Sequence, residues 1–240
     1  MLLLRLLIAL ARALAAAAAA ALSPPACAAC DAPVARASAF CPLCAPTVVP
    51  LPPPAAVPAA TADAPFGHPP IVGAASFGGA LATAIRRFKY NERPDLARPL
   101  GRMLRIAARD AGLRADLVVP VPLHPRRLAE RGYNQAALLA AHVAAELGAP
   151  LAARGLTRLR HTEQQAQLAR GDRLSNTAGA FRARAPERVC GRAVVLVDDV
   201  ATTGATLEAC RAALLLAGAA SVTCLVVARA QAVRAETASG

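Results

Sequence analysis

Hydrophobic positions along this chain recur with two periods, and the switches between them outline the elements. Over 79–90 apolar residues return at helical spacing, with Leu81, Ala84, Ile85 and Phe88 on one face. A second helix is predicted to begin near Pro94 and run to Asp110, since proline suits a first helical turn. Residues 117–121 predict a strand, and a helix over 133–147 follows, ended by Gly148. Signals over 151–159 are weaker, and a mixed helix is predicted over 163–176. A strand at 193–197, a helix at 204–217 and a buried strand at 221–228 complete the series. Unbroken aliphatic runs such as Val194-Val195-Leu196-Val197 suit strands covered on both faces. Strands alternating with helices predict an α/β domain built on a doubly wound parallel sheet.

That domain is expected over 71–230, with a tail at 231–240. Residues 1–22 are nearly all Leu and Ala, broken by Arg5 and Arg12, which share one helix face. The segment reads as an apolar helix, or as signal-like, because Ala19-Ala20-Ala21 fits a small-residue cleavage site. It is short for a membrane span, so no stable membrane insertion is expected. Residues 23–50 hold two cysteine pairs. Residues 51–70 are rich in Pro and Ala, the composition of a semi-rigid extended linker.

Composition changes this picture in two places. Apolar residues make up 56% of the 240 but aromatic ones only 3%, so the core is aliphatic and packed with alanine. The net charge of +12 rests on 26 arginines and a single lysine, Lys89. Such a balance suits polyanions, whether a pyrophosphate or a nucleic acid, and is equally the mark of a chain that favours Arg and Ala throughout. The cysteines Cys27, Cys30, Cys41 and Cys44 form C-x2-C-x10-C-x2-C. That spacing fits a tetrahedral zinc site whose four thiolates leave no open position, hence a structural ion, with two disulfides or free thiols as the alternative. Cys190, Cys210 and Cys224 lie apart and read as small buried apolar residues.

The chemistry concentrates where strand 193–197 ends. It runs into Asp198 and Asp199, then Val200, Ala201, Thr202, Thr203, Gly204, Ala205 and Thr206. Ligands of parallel sheets bind beyond the carboxyl ends of the strands. There two carboxylates accept hydrogen bonds from adjacent sugar hydroxyls, and a hydroxyl-rich turn at a helix N-terminus offers N–H groups to a phosphate. Together they describe a site for a ribose 5-phosphate. No Gly-Lys-[Ser/Thr] loop, Gly-x-Gly fingerprint, Gly-x-Ser-x-Gly elbow or His-Glu-x-x-His motif occurs. A second basic segment follows strand 117–121. It carries His124, Arg126, Arg127 and Arg131, with a helix N-terminus expected near Gly132; guanidinium forks match phosphate oxygens.

The stretch from Val194 to Thr206 resembles the signature of the type I phosphoribosyltransferases, which bind 5-phosphoribosyl-1-pyrophosphate (PRPP). More narrowly, Val-Pro-Val-Pro-Leu-His, Arg-Arg-x3-Arg-Gly-Tyr-Asn-Gln and Arg158-x-Arg160-x-Thr162-x-x-Gln165, continued by Arg173-x-x-Asn176, resemble the ComF family (ComFC or GntX-like), as does a four-cysteine ribbon ahead of the transferase domain. The likeness covers about 24–230. The long linker and Glu163-Gln164, where relatives carry Pro before Gln, depart from the pattern. The resemblance implies PRPP bound with Mg²⁺ and His124, Arg126, Arg127 and Arg131 in the pyrophosphate loop. It also implies a flexible loop holding Arg158, Arg160, Thr162, Gln165, Arg173 and Asn176, and a structural Zn²⁺ on the cysteines. It implies a cytoplasmic protein linked to DNA uptake, with single-stranded DNA or the competence machinery as partner. Transfer to a nitrogen acceptor and nucleic-acid binding without turnover both remain open at this level.

Overall fold

The structure, a computed structural model, describes residues 25–54, 71–159 and 180–230. Among them the chain runs β1 (Ile71–Ser76), α1 (Gly79–Tyr90), α2 (Ala97–Asp110), β2 (Leu117–Pro120), α3 (Pro125–Arg131), α4 (Gln135–Leu147), β3 (Leu156–Arg158), β4 (Phe181–Ala183), β5 (Ala193–Ala201), α5 (Ala205–Leu216) and β6 (Ser221–Arg229). Four strands form a parallel sheet in the order β1-β6-β5-β2, and β3 and β4 pair as a separate antiparallel hairpin.

Period-two alternation sorts the sheet's side chains into two cores. Val195, Val197, Leu225 and Val227 pack with Leu100 and Leu104 of α2 and Leu139 and Val143 of α4. Val194, Leu196, Val222, Cys224 and Val226 pack on the other face with Leu207, Cys210 and Leu214 of α5 and Phe181 of β4. Each large aliphatic side chain so enclosed contributes about 1.5–3 kcal/mol. The sheet is thus wound on both sides, as its unbroken aliphatic strands predict. On the first face α2 and α4 approach closely at Gly101, where a Cβ would lie 2.5 Å from the His142 ring. Arg105 and Arg109 of α2 clamp Glu146 of α4 at 2.6 Å.

Helix α1 has a different task. It begins just past the end of β1 and finishes with Lys89 on Asp199 of β5, so it crosses the carboxyl ends of the strands. Its buried stripe of Leu81, Ala84, Ile85 and Phe88 is the face the sequence predicts.

Helix and strand positions match the hydrophobic pattern, with instructive exceptions. Strand β5 runs to Ala201, not Val197, because β6 supplies ladder partners for Asp198, Val200 and Ala201. A strand end is set by its neighbour's backbone, not by side-chain polarity. The basic segment after β2 contains helix α3, opened by His124, whose Nδ1 accepts from Arg126 N–H at 3.2 Å. Gly132 closes α3 in a left-handed conformation, and α4 starts only at Gln135. The helix N-terminus expected at Gly132 is therefore a helix C-terminus. Strand β1 and hairpin β3–β4 were not resolved by periodicity, being short or interrupted by glycine. Cys210 and Cys224 are buried as expected, but Cys190 is exposed, since it lies in the turn after a 3-10 segment at Pro186–Arg188. The helix predicted over 163–176 lies outside the described residues.

The cysteine segment is docked on the domain. Pro50 bridges Ala75 beside β1, and Leu51 N–H donates to the Ala74 carbonyl. Thr47 Oγ1 accepts from Ala80 N–H at the start of α1. Near the other end of α1, Arg87 donates to the Ala28 carbonyl and pairs with Asp31, which Arg93 also contacts.

Candidate functional site

Beyond the carboxyl ends of β2 and β5 the structure gathers most of the residues singled out above. The two strands are neighbours, and Val121 N–H donates to the Val197 carbonyl, so the loops that follow them share one end of the sheet. Asp198 and Asp199 stand where β5 approaches its end. In a strand successive side chains point to opposite faces. Asp198 accordingly continues the Val194–Leu196 face toward α5, and Asp199 the Val195–Val197 face toward α1.

Their surroundings differ. Asp199 is 5% exposed, and its Oδ1 meets Lys89 Nζ at 2.8 Å. Asp198 is half-buried and its Oδ1 accepts from Asp199 N–H at 2.8 Å. Burial pushes the Asp198 carboxyl up to about 7, and the adjacent negative Asp199 adds to the rise. The charges of Lys89 and Arg131 oppose it. The acid pair therefore shares its charge unequally at neutral pH.

The turn that follows is shaped for a close approach. Gly204 sits at φ 78°, a left-handed conformation that glycine adopts without the penalty of a side chain, and it opens the twelve-residue helix α5. Thr203 Oγ1 accepts from Ala205 N–H at 3.4 Å, and Thr202 and Thr203 are exposed. Thr206 and Ala205 lie partly exposed in the first turn, and Ala201 is buried as the last residue of β5. Three hydroxyls and a helix N-terminus thus adjoin the acids.

From the β2 side come the arginines. On α3 Arg126 is exposed and Arg127 half-buried, with Glu130 at 3.6 and 3.9 Å. Arg131 donates to Gln135 Oε1 at 3.2 Å, stacks over Tyr90 and acts on Asp198 electrostatically. His124 caps α3. Arg158, on β3, lies 5.5 Å over the Phe181 ring, and burial lowers its pKa. Asp198 and Arg127 both act on it, so it belongs to the same neighbourhood. Arg160, Thr162, Gln165, Arg173 and Asn176 lie outside the described residues.

Three contributors escaped sequence reasoning. Lys89 contacts the acid pair directly. Asn134 Nδ2 donates to the Val121 carbonyl and ties the start of α4 to the end of β2. Buried Gln135 links Arg131 to the Phe88 carbonyl. The available signal for Lys89 was its being the sole lysine among 27 basic residues. The two amides lie in the Arg-Gly-Tyr-Asn-Gln motif, but the motif does not say which backbone carbonyls, those of Val121 and Phe88, they bond.

The cysteines form a separate centre. The Sγ atoms of Cys27, Cys30, Cys41 and Cys44 lie within 4.8 Å of one another. Burial opposes ionisation of Cys27, yet N–H groups of Cys41, Ala29 and Cys30 directed at its sulfur bring it down to about 6. Cys41 is likewise lowered, whereas Cys44 is pushed up to about 12, chiefly by its hydrogen bond with Cys41. Four converging sulfurs cannot all be thiolates without a cation among them. The donor set and N–H-lined turns fit a metal such as zinc held structurally.

A parallel sheet wound on both sides, ending in paired acids and a threonine-lined turn, defines a phosphoribosyltransferase-type domain. The phosphoribosyl transferase domain family matches residues 134–238. The chain is 35% identical over 216 residues to the DNA utilization protein YhgH of Salmonella typhimurium, covering 83% of this chain and 94% of that one. It is 39% identical over 134 residues to competence protein F of Haemophilus influenzae, covering 53% of this chain and 58% of that one. A solved glutamine PRPP amidotransferase from B. subtilis is similar at 23% identity and a TM-score of 0.42, over 59% of this chain and 30% of that one. The chain belongs to the ComF family.

Proposed function

We propose that this protein binds PRPP with Mg²⁺ beyond the carboxyl ends of β2 and β5, in a role tied to DNA utilization. The observation that carries this reading is the sequence of acids, threonine turn and helix N-terminus on one strand end, facing arginines from the adjacent strand. Asp198 and Asp199 hold the ribose diol. The turn from Ala201 to Thr206 takes the 5-phosphate on N–H groups and hydroxyls. Arg126, Arg127 and Arg131 face the pyrophosphate, with His124 shaping their helix, and Arg158 adds charge from the opposite wall. Mg²⁺, held chiefly through oxygens of the ligand, supplies further charge neutralisation.

The chemistry such a site supports is displacement at the anomeric carbon. A nitrogen nucleophile forms the new C–N bond as the C–O bond to pyrophosphate breaks, and the bonding pair leaves with the pyrophosphate. Positive charge that develops on the ribosyl ring resembles that at other glycosidic centres. The protein's part is to orient the sugar, stabilise the leaving group and exclude water. On this reading Arg160, Thr162, Gln165, Arg173 and Asn176 are further ligand-contacting residues. PRPP is a cytosolic metabolite, which supports a cytoplasmic location.

Mg²⁺ and PRPP added together should raise the melting temperature, because a ligand of the folded state stabilises it. The Asp198→Asn/Asp199→Asn variant should remain folded and lose that rise; a full rise in the variant would remove the assignment. A second reading is favoured by the net charge of +12. In it the pocket takes the sugar-phosphate backbone of single-stranded DNA. The same thermal measurement with single-stranded DNA in place of PRPP separates the two readings.

A further inference from the structure

Asp199 is enclosed, and a carboxylate in such surroundings needs a counter-charge held in good geometry. That charge comes from Lys89, 2.8 Å away on the last turn of α1. The chain otherwise meets every need for a cation with arginine, at 26 positions. An ammonium is a compact point charge, whereas a guanidinium is a wide planar fork. The chain's one departure from arginine thus falls on the acid pair. Independent contacts hold the turn that carries it. Phe88 is fully buried, its carbonyl accepts from the Tyr133 hydroxyl and from Gln135 Nε2, and Arg87 grips the cysteine module. A cation at a helix C-terminus is also favoured by the dipole.

Among the described residues Asp198 makes no comparable ion pair. Its neighbours are Asp199 on the same strand, Arg131 from α3, Arg158 from β3, and Cys210 from α5. With Asp199 unneutralised, adjacent carboxylates repel, and the pair retains a proton to higher pH.

We propose that Lys89 is the positioning residue of the acid pair: it anchors Asp199 as a carboxylate and thereby allows both acids to be ionised together against the sugar hydroxyls. This rests on the reading that the pair receives a ribose diol, and it assigns the end of α1 to that site.

Lys89→Gln keeps a hydrogen-bond donor for Asp199 and removes the charge; Lys89→Arg keeps the charge and supplies a second folded variant. Carboxyl ¹³C NMR of ligand-free protein should show the Asp198 titration midpoint higher by about one pH unit in Lys89→Gln and nearly unmoved in Lys89→Arg. Affinity for Mg²⁺–PRPP should fall about tenfold near pH 6.5 in Lys89→Gln and recover toward pH 9, since one unit of midpoint is a factor of ten below it. A midpoint that stays in place in Lys89→Gln overturns the role of Lys89, whatever the protein binds. A shifted midpoint with a wild-type affinity profile overturns its role in binding. Wild-type protein that takes up no PRPP refutes the sugar-phosphate reading instead, and the NMR titration still decides whether Lys89 governs the acids.

Discussion

Asp198 and Asp199 are adjacent and chemically identical, yet the fold gives them unlike electrostatic settings. Asp199 has a lysine at 2.8 Å; Asp198 is desolvated beside a negative charge and titrates near 7. In the unfolded chain an aspartate titrates near 4. Between about pH 4 and 7 the folded protein therefore binds more protons at this position than the unfolded chain does. Its contribution to stability is greatest below that window and is lost as pH rises through it. Asp198→Asn removes the loss. The variant should be more stable than wild type at pH 8 by up to about 4 kcal/mol, with the difference vanishing near pH 4, as urea unfolding at the two pH values would show. Equal stabilities at pH 8 would mean the carboxyl is solvated in the folded state.

At the scale of elements, α5 unites a phosphate-type turn with a buried ion pair. Arg211 is 3% exposed and donates to Glu208 at 3.0 Å, one turn nearer the Thr202–Thr206 segment. Arg211 Nε and Glu208 Oε2 are buried without hydrogen-bond partners among the described residues. Breaking one side of such a pair leaves an uncompensated charge and typically costs about 3–5 kcal/mol, whereas removing both sides is often near neutral. Arg211→Met should thus lower stability by about 3 kcal/mol, and Glu208→Gln/Arg211→Met should recover most of it in denaturant titrations. No recovery would assign the loss to packing rather than charge. Element boundaries show the same division of causes. The stripe of α1 was legible in the sequence because a helix imposes its own period. The reach of β5 to Ala201 was not, because β6 supplies the pairing.

Across the whole molecule, the cysteine module and the acid pair share α1. Arg87 bonds the backbone between Cys27 and Cys30, and two residues later Lys89 meets Asp199. Among residues 25–54 only Cys27, Ala28 and Cys41 are buried, so the module has little apolar core and a bound metal should supply much of its stability. Freshly reduced protein should carry about one equivalent of zinc by elemental analysis, as four thiolates fill one tetrahedral ion. Chelation should lower the melting temperature; less than half an equivalent with an unchanged melting temperature would support free thiols instead.

The amino-acid sequence alone determined the wound parallel sheet, the strand that delivers two acids, the threonine turn behind them and the cysteine spacing, because each is written in local periodicity or in residues a few positions apart. Arg126, Arg127 and Arg131 were legible for the same reason. Only the tertiary structure decided that α1 crosses the strand ends, that Lys89 neutralises one acid and leaves its neighbour to titrate, and that Arg158 joins them from β3. Those relations link positions about 40 to 110 residues apart, and burial, which sets their electrostatics, exists only once the chain has closed on itself.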